Sequence, residues 1–457
     1  MKSINRMKDN TAEAIKQVAH VADLWLPLKI QYDRMPGISV GIVYKGKLIY
    51  KKGFGFADID KKKRTTETTR YHIASHSKMF TAVGIMQLVE QGKLRLDDKV
   101  VSYVDWFKAK NGHADAAHIT IRHLMSHASG IFRDGDTGHW ETGKFPKDLK
   151  SSFSPKAARF ENLASFKYSN YGFSVLGEVI ARVSGLSYEE YMKRNILRPL
   201  GMTSTVPDYE KGMANVAIGY GRNIPGEKQR RRFSPYATHI YAPATGFISN
   251  VVDLAKFIHA FSLDNTRGVL SRESKKEMMH TVEKTLEGDE YGLGIEITYI
   301  KGRKIVGHGG GFNGYITKTM WDPSNDLGVI VLSNSLDSSA GGIAAGIFET
   351  IYGFLEKRLE YMRDKKIQYS KYEGIYRNIW GDVAVSRFGN ALIEFSPRTE
   401  SPLKWNSVLV PEKAVHHFVV KAKNVFGDTN ELAEFGDFKN GKARTFFISG
   451  TPSKRVG

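Results

Sequence analysis

The sequence predicts an α+β region followed by a small all-β domain, and three observations support this prediction. Residues 38–44 and 48–54 read as two strands joined by a short hairpin turn. In residues 75–92, apolar side chains make up most of the surface of a helix, which predicts that this helix is buried. Beyond the charged run 363–366, about 90 residues of short strand-like segments indicate a sandwich or a barrel.

The other elements follow from the same periodicities. A helix is predicted over residues 10–34, and the polar stretch 131–165 predicts loops around a site. The charged run 363–366 is read as a linker, so the predicted domains are residues 1–365 and 366–457. Further strands are predicted near residues 291–300, 303–308, 314–321 and 327–334, and a further helix near 340–362.

Composition excludes several classes of protein. Hydrophobic residues make up 41% of the 457 residues and charged residues 25%, as in globular proteins, and no apolar stretch is long enough to span a bilayer. The absence of cysteine excludes disulfides, thiolate catalysis and cysteine-ligated metals. No secretory signal is visible, so a cytoplasmic location is the default expectation, and a periplasmic or secreted one applies if a leader was removed.

The net charge of +19 raises the question of an anionic partner. The basic clusters Lys61–Arg64 and Arg230–Arg232 lie in apparent loops with no nucleic-acid motif around them. We therefore expect a solvated basic surface and no nucleic-acid partner.

The first chemical pattern is Ser75, followed three residues later by Lys78, at the start of the predicted buried helix. This spacing puts both side chains on one helical face, where a neutral lysine can take the serine proton. Burial and the helix dipole both favour the neutral amine. The same spacing recurs at Ser401 and Lys404, but Pro402 and the residues after it do not continue a helix, so a functional role is not expected there.

Two more patterns follow in chain order. Tyr168 and Asn170 form a Tyr-x-Asn pair, and His308 opens a run of three glycines after a strand-like stretch. Glycine lets backbone approach a ligand closely, although a simple tight turn would also explain the run. A second Tyr-x-Asn pair, Tyr376 and Asn378, falls in the predicted all-β domain and is interpreted as a coincidence.

The run from Gly37 to Gly41 matches the nucleophile elbow of α/β-hydrolases, with Ser39 as the nucleophile. That motif requires a strand, a tight turn and then a helix. Here strand-like sequence continues through the run, so we interpret Ser39 as a structural residue.

Two histidine pairs, His123 with His127 and His72 with His76, have a spacing that zinc accepts on a helix. Neither pair contains the glutamate of H-E-x-x-H, and no third ligand is evident. We predict that these histidines are structural and that the protein uses no metal and no organic cofactor.

Together these patterns resemble a known superfamily, which comprises the class C serine β-lactamases, the DD-peptidases and the penicillin-binding-protein-like hydrolases and esterases. The resemblance covers about residues 30–360, with Ser75-x-x-Lys78, Tyr168-x-Asn170 and His308-Gly309-Gly310 as the three motifs. Connecting segments are also similar to those of the family: Leu124–Ile131, Pro199–Met202, Pro243–Ser249 and Asp253–Leu254.

The resemblance implies a role for each motif residue. Ser75 would be the acyl-enzyme nucleophile, and Lys78 and Tyr168 would transfer its proton. Asn170 would bind the substrate amide or hold Lys78. His308 would stand beside the substrate carboxylate or Tyr168, where β-lactamases carry a lysine. The oxyanion would be bound by the backbone N–H groups of Ser75 and Gly311, in the strand edge that Gly309, Gly310 and Gly311 form.

The resemblance also implies the fold and the reaction. We expect a β-lactamase/transpeptidase-like domain, an antiparallel sheet flanked by helices, followed by a lipocalin-like antiparallel β-barrel. Because His308 and Gly309 replace the lysine and threonine of β-lactamases, we expect a D-amino-acid-type peptidase or carboxypeptidase. The alternatives are a carboxylesterase on small acyl esters, a weak β-lactamase, and a penicillin-binding sensor without turnover. A small peptide or ester is the expected substrate, and a homo-oligomer is compatible with the sequence.

Overall fold

The chain divides into two compact units, one of residues 36–341 and one that combines residues 1–35 with 342–457. The predicted domain boundary at residues 365 and 366 falls in the stretch 358–366, outside the described residues, and stays a prediction. The computed structural model describes residues 2–108, 110–111, 114–135, 137–152, 166–266, 268–285, 288–357, 367–404, 406–421 and 430–456.

The unit of residues 36–341 is built on an antiparallel sheet. Its described strands, in chain order, are β1 (Gly37–Tyr44), β2 (Lys47–Asp58), β3 (Lys63–Arg64), β4 (Tyr71–His72), β5 (Lys110–Asn111), β6 (Ala114–Asp115), β7 (Gly219–Tyr220), β8 (Arg232–Phe233), β9 (Ile248–Ser249), β10 (Glu283–Lys284), β11 (Glu290–Tyr291), β12 (Glu296–Ile300), β13 (Arg303–Phe312), β14 (Tyr315–Asp322) and β15 (Leu327–Ser333). Nine of them form the main sheet in the order β10-β11-β12-β13-β14-β15-β1-β2-β3. The N-terminal hairpin β1–β2 therefore lies beside the last strand of this unit, β15.

Helices supply much of the core of this unit, whereas the first described helix and, from Gly342 on, the last one belong to the other unit. The described helices are α1 (Lys2–Tyr32), α2 (Ser77–Glu90), α3 (Ile121–Met125), α4 (His139–Thr142), α5 (Asn170–Ser184), α6 (Tyr188–Met192), α7 (Val251–Ala260), α8 (Arg272–Met278) and α9 (Ala340–Lys357). Apolar residues make up most of α2, which is buried on nearly every side, and Phe80 stacks on Phe247 and Phe257. Gly84 lets α2 pack closely on α5, because an added Cβ would lie 3.0 Å from Ile180.

The second unit contains the eight described strands of a closed barrel. They are β16 (Gly374–Asn378), β17 (Gly381–Phe388), β18 (Ala391–Phe395), β19 (Asn406–Pro411), β20 (His417–Val420), β21 (Leu432–Lys439), β22 (Lys442–Ile448) and β23 (Thr451–Val456). Successive side chains along each strand point to opposite faces, and those on one face are buried, among them Tyr376, Phe435 and Phe446. In the same unit, the Trp25 indole N–H of α1 donates to the Thr399 carbonyl at 3.1 Å.

The predicted α+β class with a C-terminal antiparallel barrel is confirmed. The glycine run after His308 is part of a strand and not the alternative tight turn, because residues 308–312 continue β13 and pair with β14. None of the described helices combines the length and the apolar character that crossing a bilayer requires.

Candidate active site

Ser75 lies in a short helical turn, residues 74–76, that leads directly into α2. Ala74 has φ 52°, a left-handed conformation that costs a residue with a Cβ about 1 kcal/mol or more. The Ser77 hydroxyl stabilises this turn, since it donates to the Ala74 carbonyl at 2.6 Å and accepts from the Phe247 N–H at 3.0 Å. The Ser75 side chain is therefore fixed at the start of a helical segment, partly open to solvent.

Lys78 lies one turn farther along and is completely buried. Its Nζ is 3.1 Å from Ser75 Oγ, 2.7 Å from Asn170 Oδ1 and 2.9 Å from the Ala244 carbonyl oxygen. The amide and carbonyl oxygens can only accept, so they take two amine hydrogens and leave Ser75 as the third neighbour. Burial holds the pKa of Lys78 well below its usual value. A neutral amine in this position presents its lone pair to the Ser75 hydroxyl.

Tyr168 also contacts Ser75, but as a proton donor, whereas Lys78 is suited to accept a proton. Its hydroxyl donates to Ser75 Oγ at 2.8 Å, and Lys78 Nζ lies 4.7 Å from the centre of its ring. Burial raises the pKa of Tyr168, so the phenol keeps its proton at neutral pH. Ser75 therefore contacts one group suited to accept a proton and one suited to donate a proton.

Asn170 is the first residue of α5. The preceding Ser169 caps this helix, because its hydroxyl accepts from the Gly172 N–H at 2.8 Å. Asn170 Oδ1 accepts from Lys78, and Asn170 Nδ2 donates to Asp134 Oδ1 at 2.7 Å, so the two partners together assign the amide orientation. The structure thus supports Asn170 as a residue that holds Lys78.

The glycine run of β13 lies directly against the turn that contains Ser75. An added Cβ at Gly310 would lie 2.3 Å from the Ile73 carbonyl oxygen and 2.5 Å from Thr317 Oγ1, so only glycine fits at this position. At Gly309 the nearest atoms to an added Cβ are 3.6 Å away, an ordinary contact. Gly311 lines a pocket of about 300 Å³ together with Ser75, Arg133, Asp134, Trp140 and Asn170.

His308 is buried behind this strand edge, only 1% exposed. Its Nδ1 lies 2.6 Å from the Gly309 carbonyl oxygen, which can only accept, so Nδ1 carries the hydrogen and Nε2 accepts from the Tyr291 hydroxyl at 3.0 Å. Burial lowers the pKa of His308 to about 4, so the ring is neutral at pH 7. Neither nitrogen is hydrogen-bonded to Ser75 or Tyr168, and the role predicted for His308 beside a carboxylate stays a prediction.

Three groups that the sequence analysis missed complete the site. The Asp134 carboxylate fixes Asn170, the Ala244 carbonyl binds Lys78, and Glu296 accepts from the Gly309 N–H at 3.0 Å. Asp134 and Ala244 follow or lie within segments that resemble the family, which is the signal that could have found them. No pattern in the sequence marks Glu296.

The alternative nucleophile Ser39 lies inside β1 and is completely buried. Its hydroxyl donates to the Thr66 carbonyl at 2.7 Å and is hydrogen-bonded to the Tyr71 hydroxyl at 2.9 Å. The structural interpretation of Ser39 is confirmed.

The histidine pairs have structural surroundings. His72 stacks on Phe312 with ring centroids 4.2 Å apart, and the rings of His76, His123 and His127 each contact a backbone or hydroxyl group of the core. Within the described ranges, no three histidine, aspartate or glutamate side chains are grouped so that they could hold a metal ion.

Comparison with known proteins identifies the family. The model of the family described as Beta-lactamase matches residues 23–350, well over half of the chain. The chain belongs to this family. Its members are serine hydrolases, and the structure brings Ser75, Lys78 and Tyr168 of this chain together as described above.

Individual relatives support the same assignment. The chain is 29% identical over 314 residues to Protein flp of Staphylococcus aureus (strain N315), which covers 67% of this chain and 61% of that protein. The chain thus spans about three-fifths of the length of the curated relatives it matches. The octameric penicillin-binding protein homologue of Pyrococcus abyssi superposes with a TM-score of 0.63 at 27% identity, over 93% of this chain and 97% of the homologue. A class C β-lactamase superposes with a TM-score of 0.61 at 21% identity, over 74% and 96%.

Proposed function

We propose that the protein is a peptidase for D-amino-acid-type substrates, acting as a carboxypeptidase through an acyl-enzyme on Ser75. The observation that supports this most strongly is the arrangement at Ser75 Oγ, which lies 3.1 Å from the amine of buried Lys78 and accepts a hydrogen bond from half-buried Tyr168. Burial lowers the pKa of Lys78, which favours the neutral amine that a base requires, and raises the pKa of Tyr168, which keeps the proton on the phenol.

The first half of the proposed reaction forms the ester. Neutral Lys78 takes the proton of Ser75 while Oγ attacks the scissile carbonyl carbon. The oxyanion is bound by the backbone N–H groups of Ser75 and Gly311. The C–N bond then breaks as the leaving nitrogen takes the proton of Tyr168, and Lys78 returns its proton to Tyr168. In the second half, neutral Lys78 takes a proton from water as the water oxygen attacks the ester carbonyl carbon, the bond from that carbon to Ser75 Oγ breaks, and Lys78 returns the proton to Ser75 Oγ.

A peptidase is favoured over a β-lactamase because of His308 and Gly309. His308 is neutral and both of its nitrogens are engaged, so it does not supply the charge that the lysine of β-lactamases supplies at this position. Gly309 supplies no hydroxyl. An esterase on small acyl esters needs neither group and is the first alternative for the test below.

Three further features belong to this proposal. The barrel is lipocalin-like, and the boundary between the catalytic and barrel domains falls at residues 365 and 366. The protein forms homo-oligomers, a proposal supported by its likeness over most of both chains to a homologue described as octameric.

The test combines labelling with turnover. Wild type, Ser75→Ala and Ser401→Ala are treated with a fluorophosphonate probe, analysed by intact mass, and assayed on a D-Ala-terminated peptide, p-nitrophenyl acetate and a chromogenic cephalosporin. We expect labelling and turnover to vanish only in Ser75→Ala, with the peptide as the best substrate.

Other results of this test would contradict the proposal or replace it with one of the alternatives. Labelling of Ser75→Ala would refute the nucleophile. Preference for the ester or the cephalosporin would replace the peptidase with an esterase or a β-lactamase. One equivalent of stable adduct without product would indicate a sensor.

A further inference from the structure

A second cavity, of about 410 Å³, is lined in part by Tyr168, whose hydroxyl contacts Ser75. Other residues that line it include Phe166, Tyr291, Glu296, Lys318 and Thr319. If Tyr168 gives its proton to the leaving nitrogen, as the proposed function requires, that nitrogen lies beside Tyr168 as it leaves, and the leaving group can enter this cavity. The charges in this cavity therefore decide which leaving groups the enzyme accepts.

Lys318 brings an ammonium group into this cavity. It lies on β14, directly opposite Gly309 of β13. Because Gly309 has no side chain, the lysine stem passes over that position, and an added Cβ on Gly309 would lie 3.7 Å from Lys318 Cδ and Nζ. Lys318 Nζ ends 2.5 Å from Glu296 Oε2. The lysine side chain remains 21% exposed, so a ligand can reach it.

The Glu296 carboxylate makes more hydrogen bonds than the Lys318 ammonium with which it is paired. Glu296 accepts from Lys318 and from the Gly309 N–H at 3.0 Å, and its Oε1 lies 3.3 Å from His308 Nδ1. The Lys318 ammonium has three N–H donors, and within the described part of the chain it makes one hydrogen bond, to Glu296. Two donors of a cation are therefore open in the cavity, whereas the carboxylate is largely occupied. This pattern suits an anionic ligand.

We infer that Lys318 binds the free α-carboxylate of the leaving amino acid and so determines specificity for substrates with a free C-terminus. This inference rests on the proposed function, because it assigns the cavity to the leaving group. Glu296 aims the ammonium by holding one of its three donors. Asp289 and Glu290 line the same cavity. Since like charges repel, these two carboxylates favour a leaving residue with a single carboxylate over C-terminal aspartate or glutamate.

The test compares N-acetyl-D-Ala-D-Ala with its C-terminal amide, which differ only at the carboxylate. In Lys318→Met we expect KM for the free acid to rise about 10- to 100-fold, the range of a charge-assisted hydrogen bond, with kcat little changed. KM for the amide and turnover of p-nitrophenyl acetate should stay at the wild-type level. Lys318→Arg should restore most of the affinity for the acid.

Lys47→Met is the matched control. Lys47 lies on β2, is exposed and does not line the cavity, so the same change in charge should leave both KM values unchanged. Equal losses of Lys318→Met on acid, amide and ester would overturn the inference in favour of a structural role. Unchanged KM for the acid would also overturn it.

Failure of the proposed function would be visible separately. If wild type hydrolysed neither dipeptide, the peptidase proposal would fail. Binding at the carboxylate site would then be measured by how much each dipeptide slows the labelling of Ser75 by the fluorophosphonate. We then expect the acid to protect better than the amide in wild type, and equally in Lys318→Met. Equal protection in wild type would overturn the carboxylate site.

Discussion

Ser75 with Lys78 and Ser401 with Lys404 have the same spacing, yet they lie in different units and in different surroundings. Ser75 Oγ is hydrogen-bonded to Lys78 and to Tyr168. Ser401 Oγ is also buried but has no hydrogen-bond partner among the residues that the structure describes. There the backbone forms a turn, in which the Lys404 N–H donates to the Ser401 carbonyl at 3.1 Å.

The comparison shows what the spacing alone does not provide. A helix is needed to put serine and lysine on one face, and two carbonyl-type oxygens are needed to occupy the hydrogens of the amine. Burial must then make the charged amine unfavourable. Only the pair in α2 and the turn before it meets all three conditions.

The largest expected effect comes from removing the two lysines in turn. Lys78→Met should slow labelling of Ser75 by a fluorophosphonate about 10²- to 10⁴-fold, since a general base contributes that much. In Lys404→Met, Ser75 should be labelled at the wild-type rate. The labelling rates of the two variants are measured, and thermal melting verifies that each variant is folded. A Lys78→Met protein that labels within tenfold of wild type would contradict the assignment of the base.

A smaller effect should distinguish two neighbouring glycines. The Cβ of Gly310→Ala meets the Ile73 carbonyl oxygen at 2.3 Å, whereas that of Gly309→Ala has ordinary contacts. Overpacking at Gly310 should lower the apparent free energy of unfolding by about 1–3 kcal/mol and slow acylation, because the turn before Ser75 must shift. Gly309→Ala should cost less than about 1 kcal/mol. Urea denaturation measures both, and equal losses would refute the close approach of β13.

The smallest expected effect is a pair of opposite pH shifts. The Asp134 carboxylate raises the pKa of Lys78 and the Arg133 guanidinium lowers it, although burial is the main cause of its displacement. Activity requires neutral Lys78 and is lost as pH falls through its pKa. Asp134→Asn should therefore move the acid limb of kcat/KM to lower pH, and Arg133→Gln should move it to higher pH.

Profiles with p-nitrophenyl acetate, compared with wild type, measure these shifts. In Asp134→Asn the new side-chain amide would still offer an oxygen to the Asn170 amide, so the geometry is preserved. Shifts in the same direction for both variants would show that Lys78 is not the titrating base.

The sequence was sufficient to predict the elements that are local in the chain. The apolar stretch after Ser75 predicts α2, and the break at Pro402 correctly rejects the second serine–lysine pair. Contacts between distant segments do not follow from local patterns: the contact of Asn170 with Lys78, 92 residues apart, was expected only from the family resemblance, and that of Ala244, 166 residues away, was not expected. These partners depend on how α5 and the π-helical turn at residues 242–246 pack on α2.

The partners of side chains in the sheet could not be predicted from the sequence either. His308 is predicted to lie beside the substrate carboxylate or Tyr168, and no local pattern predicts that its ring is hydrogen-bonded to the Tyr291 hydroxyl. The partner of Lys318, Glu296, lies on β12, and no local pattern connects the two residues.

The central claim is that Lys78 is the neutral base at Ser75, and an NMR titration tests it most directly. Lysine side chains are labelled with ¹³C and ¹⁵N, and the Lys78 signal is assigned by its absence from Lys78→Met. We predict that this amine titrates well below the main body of the lysine signals, which follow the usual lysine pKa near 10.4. A Lys78 signal that titrates together with that main body would contradict the account.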